Sequence, residues 1–312
     1  MARTPGPDRI VLEVARLSLA AARRCVSTYG SIKSRHDFTQ PQLIACLVLR
    51  AYLRTTFRGI TQLLAEMPDV RAALGLERVP HYTTLQKLHA KPHVVGVIEA
   101  MLTDLLRGVT GQDRAAVEEV AMDSTGLAMT NASVYFRMVK EKDRAGKGSK
   151  KRAGRPAART KRGSTRRTGR YVKVSVAVAC ALFMPCAMRV AFGPRADTTE
   201  TPVLLEQTFR VLRPARLYAD AGFDAESLHG ICRDEHGTES WVPPVIKSKD
   251  GTVKTPHRAR MLDLPACYGR RWQVESFFSA LKRTTGGSLN CRLPASLLSE
   301  AAIRVLAYTV HR

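Results

Sequence analysis

Four residues near the end of the chain carry reactive side chains at helical spacing: Tyr268, Arg271, Glu275 and Lys282. At about 100° per residue, counted from Tyr268, they fall at about 0°, 300°, 340° and 320°, inside a stripe of roughly 60°. Val274, Phe277, Phe278 and Leu281 make an apolar face beside that stripe. Such a helix packs on a core and aims one carboxylate outward, flanked by a phenol, a guanidinium and an ammonium. By periodicity alone the same pattern also describes a solvated face of paired Glu and Lys.

The spacing is more specific than the periodicity. Tyr, two residues, Arg, three residues, Glu, six residues, Lys resembles the signature of bacterial insertion-sequence transposases of the DDE class, and all four positions match. The resemblance implies that Glu275 is the third of three catalytic carboxylates. It then requires two aspartates upstream, each at the end of a buried strand.

Two aspartates meet that requirement. Val117 to Gly126 reads as a strand ending on Asp123 before a turn, and Pro214 to Asp224 contains a strand ending on Asp220 with Gly222 beyond it. Asp224 competes for the second position. Asp220 is preferred because it directly follows the apolar run, whereas Asp224 lies past Gly222. Between them come strands at Tyr171–Phe183 and Cys186–Phe192, meeting near Met184 and Pro185, and a helix from Thr199 to Val211. A helix at Glu226–Glu235 and a strand at Ser240–Ile246 follow. Strand, hairpin, helix, strand, helix, strand, helix is a mixed α/β pattern. It resembles the RNase H-like fold, in which the first and fourth strands lie side by side, so Asp123 and Asp220 are expected on neighbouring strands near the Glu275 helix. Three carboxylates there suit Mg²⁺ or Mn²⁺, which take oxygen ligands and, as a pair, activate a nucleophile and stabilise a leaving oxygen. Arg271 and Lys282 fit phosphate contacts beside the metal site, and Tyr268 fits a contact to a phosphate or a displaced base. Trp272, off the apolar face, is expected in the core, with a place against DNA as the alternative.

At 312 residues and 45% hydrophobic content the chain can bury a real core. Its net charge of +23 points to a polyanionic partner. Seven scattered cysteines without a Cys-x-x-Cys fit reduced, packed thiols. His229, Cys232 and His236 lack a second ligand pair at zinc-finger spacing. The first apolar stretch, Ile10 to Ala22, is broken by Glu13 and Arg16, so it is no secretory signal. The longest charge-free run, Val174 to Met188, is too short to span a membrane. A cytoplasmic, nucleoid-associated bacterial protein with no membrane partner is the expectation.

Residues 1–112 read as helices. The expected ones are 8–28, with Ile10, Val14, Leu17 and Ala21 inward; 37–54, capped by Asp37 or Thr39; 60–66; 69–74; a polar helix near Thr83–His89; and 94–106. A short helix, a turn and a short polar helix outline a helix-turn-helix, so this region is read as an all-helical DNA-end-binding region, with a supporting bundle as the alternative. Residues 113–312 form the catalytic domain.

One stretch inside that domain is unlike the rest. Arg137 to Arg170 holds 15 Lys and Arg against Glu141 and Asp143, a net +13. Without apolar periodicity it is expected to be disordered alone and to serve as a nonspecific DNA arm through Lys147, Lys150, Lys151, Arg152, Lys161, Arg162, Arg166 and Arg167. The resemblance implies a transposase that binds terminal inverted repeats of double-stranded DNA, hydrolyses one strand at each end and joins the 3′-hydroxyls to target DNA. Paired ends imply a homodimer or a higher complex. The alternatives are an RNase H-like nuclease without strand transfer and a non-catalytic basic DNA-binding protein; intact Asp123, Asp220 and Glu275 argue against the latter.

Overall fold

The computed structural model describes residues 9–129, 171–246 and 251–312, apart from 32, 34 and 113. Six helices come first: α1 (Ile10–Cys25), α2 (Gln40–Tyr52), α3 (Phe57–Glu66), α4 (Pro68–Ala73), α5 (Tyr82–His89) and α6 (Val94–Thr110). Then follow β1 (Ala115–Met129), β2 (Tyr171–Ala179), β3 (Met184–Gly193), α7 (Thr201–Val211), β4 (Leu212–Ala219), α8 (Glu226–Gly230), β5 (Glu239–Trp241), α9 (Pro256–Arg260), α10 (Trp272–Thr285), β6 (Ser288–Leu289) and α11 (Pro294–His311).

The sheet runs β3-β2-β1-β4-β5, with β6 added beside the far end of β1. β1 pairs antiparallel with β2 and parallel with β4, and β4 pairs parallel with β5. This is the mixed α/β, RNase H-like arrangement the sequence pattern predicts, with helices in the N-terminal region. Alternation along the strands sorts the core into two layers. Ala121, Leu127, Val172, Val174, Val176 and Val178 face one way, towards α10 and α11. Val120, Met122, Ala177, Ala179, Leu217 and Ala219 face the other, with Leu204, Leu205 and Phe209 of α7.

The first layer does not stop at the sheet. α11, buried along most of its length, packs against β2, β3 and α10 and equally against α1, α2 and α6. The helices before residue 112 therefore share one continuous core with the strands after it. α2 enters that core with a capping box: Thr39 accepts from the Gln42 backbone, and the Gln42 side chain accepts from the Thr39 backbone.

Several elements differ from the sequence reading. Leu17 is 46% exposed, and Ala15, Leu19 and Ala22 turn inward instead, because α1 is contacted by both α2 and α6. The hairpin turns at Cys180–Phe183, with Phe183 at φ 54, so β2 stops four residues short of the expected end. The Glu226 helix passes into a π turn at Ile231–Glu235, and β5 is only three residues long. His236 stacks on Phe209 at 3.9 Å, and buried His229 bonds Ser240 at 2.7 Å.

In α5, Leu85, Leu88 and His89 are buried, leaving Gln86 and Lys87 exposed. His89, expected on a DNA-facing helix, lies at the back of it with neither ring nitrogen hydrogen-bonded. Burial pushes its pKa down to about 3, Arg50 adding to the shift and Glu300 opposing it. An unfolded histidine titrates near about 6.5, so below that pH the unfolded chain binds a proton the folded chain refuses. The stability is present above that pH and is lost as pH falls towards the folded value. The melting temperature should therefore drop between about pH 7.5 and pH 5. His89→Leu should drop less, and equal drops would place the acid sensitivity elsewhere.

Candidate active site

β1 and β4 run in parallel register only as far as Met122 opposite Ala219. The next residues are Asp123 and Asp220. β4 ends there, while β1 continues to Met129, held by β2 and then by β6. Asp123 is thus inside a strand and not at its end, as the sequence reading had it. The physical reason is that β1 outlasts its parallel partner, leaving one edge open at that point. By alternation Asp123 shares a face with Ala121, and Asp220 with Tyr218, which is the face α10 covers.

Short local bonds fix both carboxylates. Asp123 Oδ1 accepts from Ser124 N at 2.7 Å. Asp220 caps a single 3₁₀ turn, its Oδ1 accepting from Gly222 N at 3.0 Å. Gly222 has a steric reason: a Cβ there would lie 2.8 Å from Asp197 Oδ2 and 3.0 Å from Asp220 Oδ1.

The signature residues arrive on two different helices. Residues Ala266–Arg271 form a 3₁₀ segment, and α10 begins at Trp272. With three residues per turn, Tyr268 and Arg271 stand one above the other before the α-helix starts. The single wheel misplaced what precedes α10, and Trp272 is 57% exposed instead of packed in the core. Tyr268 donates to Ala219 O at 3.0 Å, tying the segment to the end of β4. Arg271 bridges, its Nη1 lying 3.7 Å from Asp123 Oδ2 and its Nη2 hydrogen-bonded to Glu275. Lys282 Nζ donates to Thr125 Oγ1 at 2.6 Å, two residues past Asp123 on the same face.

Burial pushes the Asp123 carboxyl up to about 6, with Asp220 and Glu275 adding like charge and Arg271 opposing it. Burial also raises Asp220, and Asp197 adds to the rise. The candidate ligands Asp123, Asp220 and Glu275 are all oxygen donors, the chemistry a hard divalent cation takes. Among the described residues no three His, Cys, Asp or Glu side chains are drawn together as a ready ion cage. The Arg271 guanidinium is the positive charge between Asp123 and Glu275.

Asp224 has a different occupation. Its side chain accepts from Arg258 Nε at 2.6 Å, Arg258 Nη2 at 2.7 Å and Val245 N at 2.7 Å. It anchors the segment after β5 and has no contact with Arg271. Two residues escaped the sequence reading, Lys173 and Asp197. Lys173 is 4% exposed, its Nζ lying 2.8 Å from Asp197 Oδ1 and 2.8 Å from Arg195 O. A lone lysine inside the apolar run Tyr171–Ala179 was the available signal. The pair lines a cleft of about 220 Å³ with Ser124, Thr125, Gly126 and Tyr171, next to Asp123. The basic-arm residues Lys147, Lys150, Lys151, Arg152, Lys161, Arg162, Arg166 and Arg167 lie outside the described residues.

The mixed sheet, with Asp123 and Asp220 just past the end of the β1–β4 pairing and Arg271 joining Asp123 to Glu275, has the RNase H-like arrangement. Residues 118–310 match the transposase DDE domain family, and the chain belongs to it. No curated protein and no solved structure matches the chain. Transposase function in the general sense follows from the family, with DNA as partner and divalent metals as the usual cofactor. Among the described residues no helix is long and apolar enough to cross a membrane.

Proposed function

We propose that the chain is the transposase of a bacterial insertion sequence, with Asp123, Asp220 and Glu275 as its catalytic carboxylates. It binds the terminal inverted repeats of its element, hydrolyses a phosphodiester bond at each end and transfers the 3′-hydroxyls to target DNA. The observation that carries the reading is the meeting of Asp123 and Arg271, with Asp220 beginning where Ala219 leaves the register with β1. The three carboxylates would hold Mg²⁺ or Mn²⁺. When bound, such ions supply Lewis acidity at the phosphate and a hydroxide nucleophile near neutral pH.

The chain's own residues do the rest. Arg271, bound to Asp123 and Glu275, stands beside the carboxylates and meets the non-bridging phosphate oxygens. Lys282, held by Thr125, keeps a fixed cation one step along the same face. Tyr268, donating to Ala219 O, sets the height of Arg271 above β4 and keeps its ring beside the path of the DNA. The helices before residue 112 carry base readout, the segment 137–170 supplies nonspecific affinity, and two or more copies act on paired ends in the cytoplasm at the nucleoid. An RNase H-like nuclease differs only in lacking strand transfer. The test is donor cleavage and strand joining with Mg²⁺, on duplexes made from the DNA flanking the gene. Cleavage without joining supports the nuclease, and binding without either supports a non-catalytic protein.

Lys282 gives a finer expectation. Lys282→Ala should lower the cleavage rate by about 10²-fold, near 3 kcal/mol of barrier, while duplex affinity falls far less. Equal losses in single-turnover cleavage and in binding would make Lys282 an ordinary electrostatic contact.

A further inference from the structure

A second cationic site lies at the opposite end of α10. A pocket of about 260 Å³ opens between the C-terminus of α2 and the chain that links α10 to β6, lined by Arg50, Arg54, Thr55, Gly286, Ser288 and Arg304. One carboxylate, Glu300, faces these three arginines, and it is fully used. It accepts from Asn290 N, from Cys291 N at 2.9 Å and from Arg304 Nη2 at 2.8 Å. Arg304 in turn donates to Gly286 O at 2.8 Å and Ser288 O at 2.6 Å. That pair closes on itself.

Arg50 is left over. It is only 5% exposed, its guanidinium lies 4.1 Å over the Phe57 ring, and its Nε has no hydrogen-bond partner. The charge nearest to it is that of Glu300, already bonded to Arg304, so Arg50 is a buried cation with an unmatched Nε, which is costly unless a ligand completes it. His89, edge-on to Phe57, is kept neutral at physiological pH by its burial and adds no charge here.

Arg54 makes a second, independent case. α2 ends in a Schellman-type turn, Thr55 N bonding Arg50 O and Arg54 N bonding Ala51 O, with Arg54 in the left-handed region at φ 51. That position favours glycine, so an arginine there sets local backbone preference aside. Its Nε donates to Thr284 O at 2.8 Å, which holds the guanidinium at the rim of the pocket. The rim also adjoins the open end of β1, where Ala128 pairs with Ser288, and Met129 precedes the basic segment.

We propose that this pocket binds one backbone phosphate of DNA, with Arg50 beneath the oxyanion and Arg54 and the Thr55 hydroxyl at its rim. The inference rests on the transposase reading and adds a contact away from the carboxylates, on the same helix as Glu275 and past Lys282. It belongs to the sequence-independent part of binding, as contacts to backbone phosphate do.

The experiment uses the full chain, a random duplex and a salt series, with Arg54→Gly and Arg50→Met as variants. Arg54→Gly relieves the left-handed strain, so it should melt higher than the parent and yet bind duplex more weakly. Each variant should flatten the slope of log affinity against log salt by about one. In parallel, inorganic phosphate at matched ionic strength should raise the melting temperature of the parent and not that of Arg50→Met. An unchanged salt slope in the variants overturns the proposal. Protection by inorganic phosphate with an unchanged slope makes the site one for a free anion and also overturns the DNA assignment. Failure of the parent itself to bind duplex is a separate result, which overturns the functional reading and the DNA occupant with it.

Discussion

Asp123→Asn, Asp220→Asn and Glu275→Gln should each lower single-turnover cleavage by roughly a thousandfold or more, about 4 kcal/mol of barrier, with duplex binding kept or strengthened. Binding should not fall, because each change removes a negative charge from a surface that meets a polyanion. The loss should be non-additive: with one carboxylate gone the others have no complete site to serve, so double variants should be little worse than single ones. Asp224→Asn is the informative contrast. Asp224 is committed to Arg258 and the Val245 backbone, so the change should lower the melting temperature and leave measurable cleavage. If Asp224→Asn abolished turnover in a fully folded protein while Asp220→Asn did not, the second carboxylate would be misassigned.

Deleting residues 137–170 should change binding more than any single substitution. The segment carries a net +13, and each phosphate neutralised on B-DNA steepens log affinity against log salt by about 0.9. Six contacts would make the deletion flatten that slope by roughly five. Affinity at low salt should fall strongly and by similar factors for element ends and for random duplex. Preference for the ends should survive, since base readout is assigned to the helical region. Titrations of both DNAs across a salt series decide it. An unchanged slope means the segment does not touch DNA, and loss of end preference alone means it reads sequence.

The positions of the candidate residues were legible where they obey local rules. The Tyr268, Arg271, Glu275 and Lys282 spacing is a short-range pattern, and an aspartate after an apolar run followed by Gly222 marks a strand end without tertiary information. The succession of strands and helices along the chain was legible, and the resemblance implied that β1 and β4 would be neighbours. What escaped depended on partners distant in sequence. The extension of β1 to Met129 comes from β2 and from β6, which lies more than a hundred residues away. Trp272 was misplaced because a 3₁₀ turn and an α-helix meet there, and one angular period cannot describe both. Leu17 and His89 were misjudged because the second helix that covers the unexpected face leaves no mark on their own sequence. Lys173 went unread because its partner, Asp197, sits beyond the next strand.

The shared core has an evolutionary side. α11 is wedged between α1, α2 and α6 on one flank and the strands and α10 on the other, so the helices proposed to contact DNA are not a detachable cassette. A recombinant gene taking its first hundred codons from one element and the remainder from another would bring together two halves of different interiors. It would misfold before it could meet new ends. If the proposed readout by these helices holds, lineages built on this frame are left to acquire new end specificity by substituting outward-facing side chains such as Gln86 and Lys87, one at a time, over an unaltered interior.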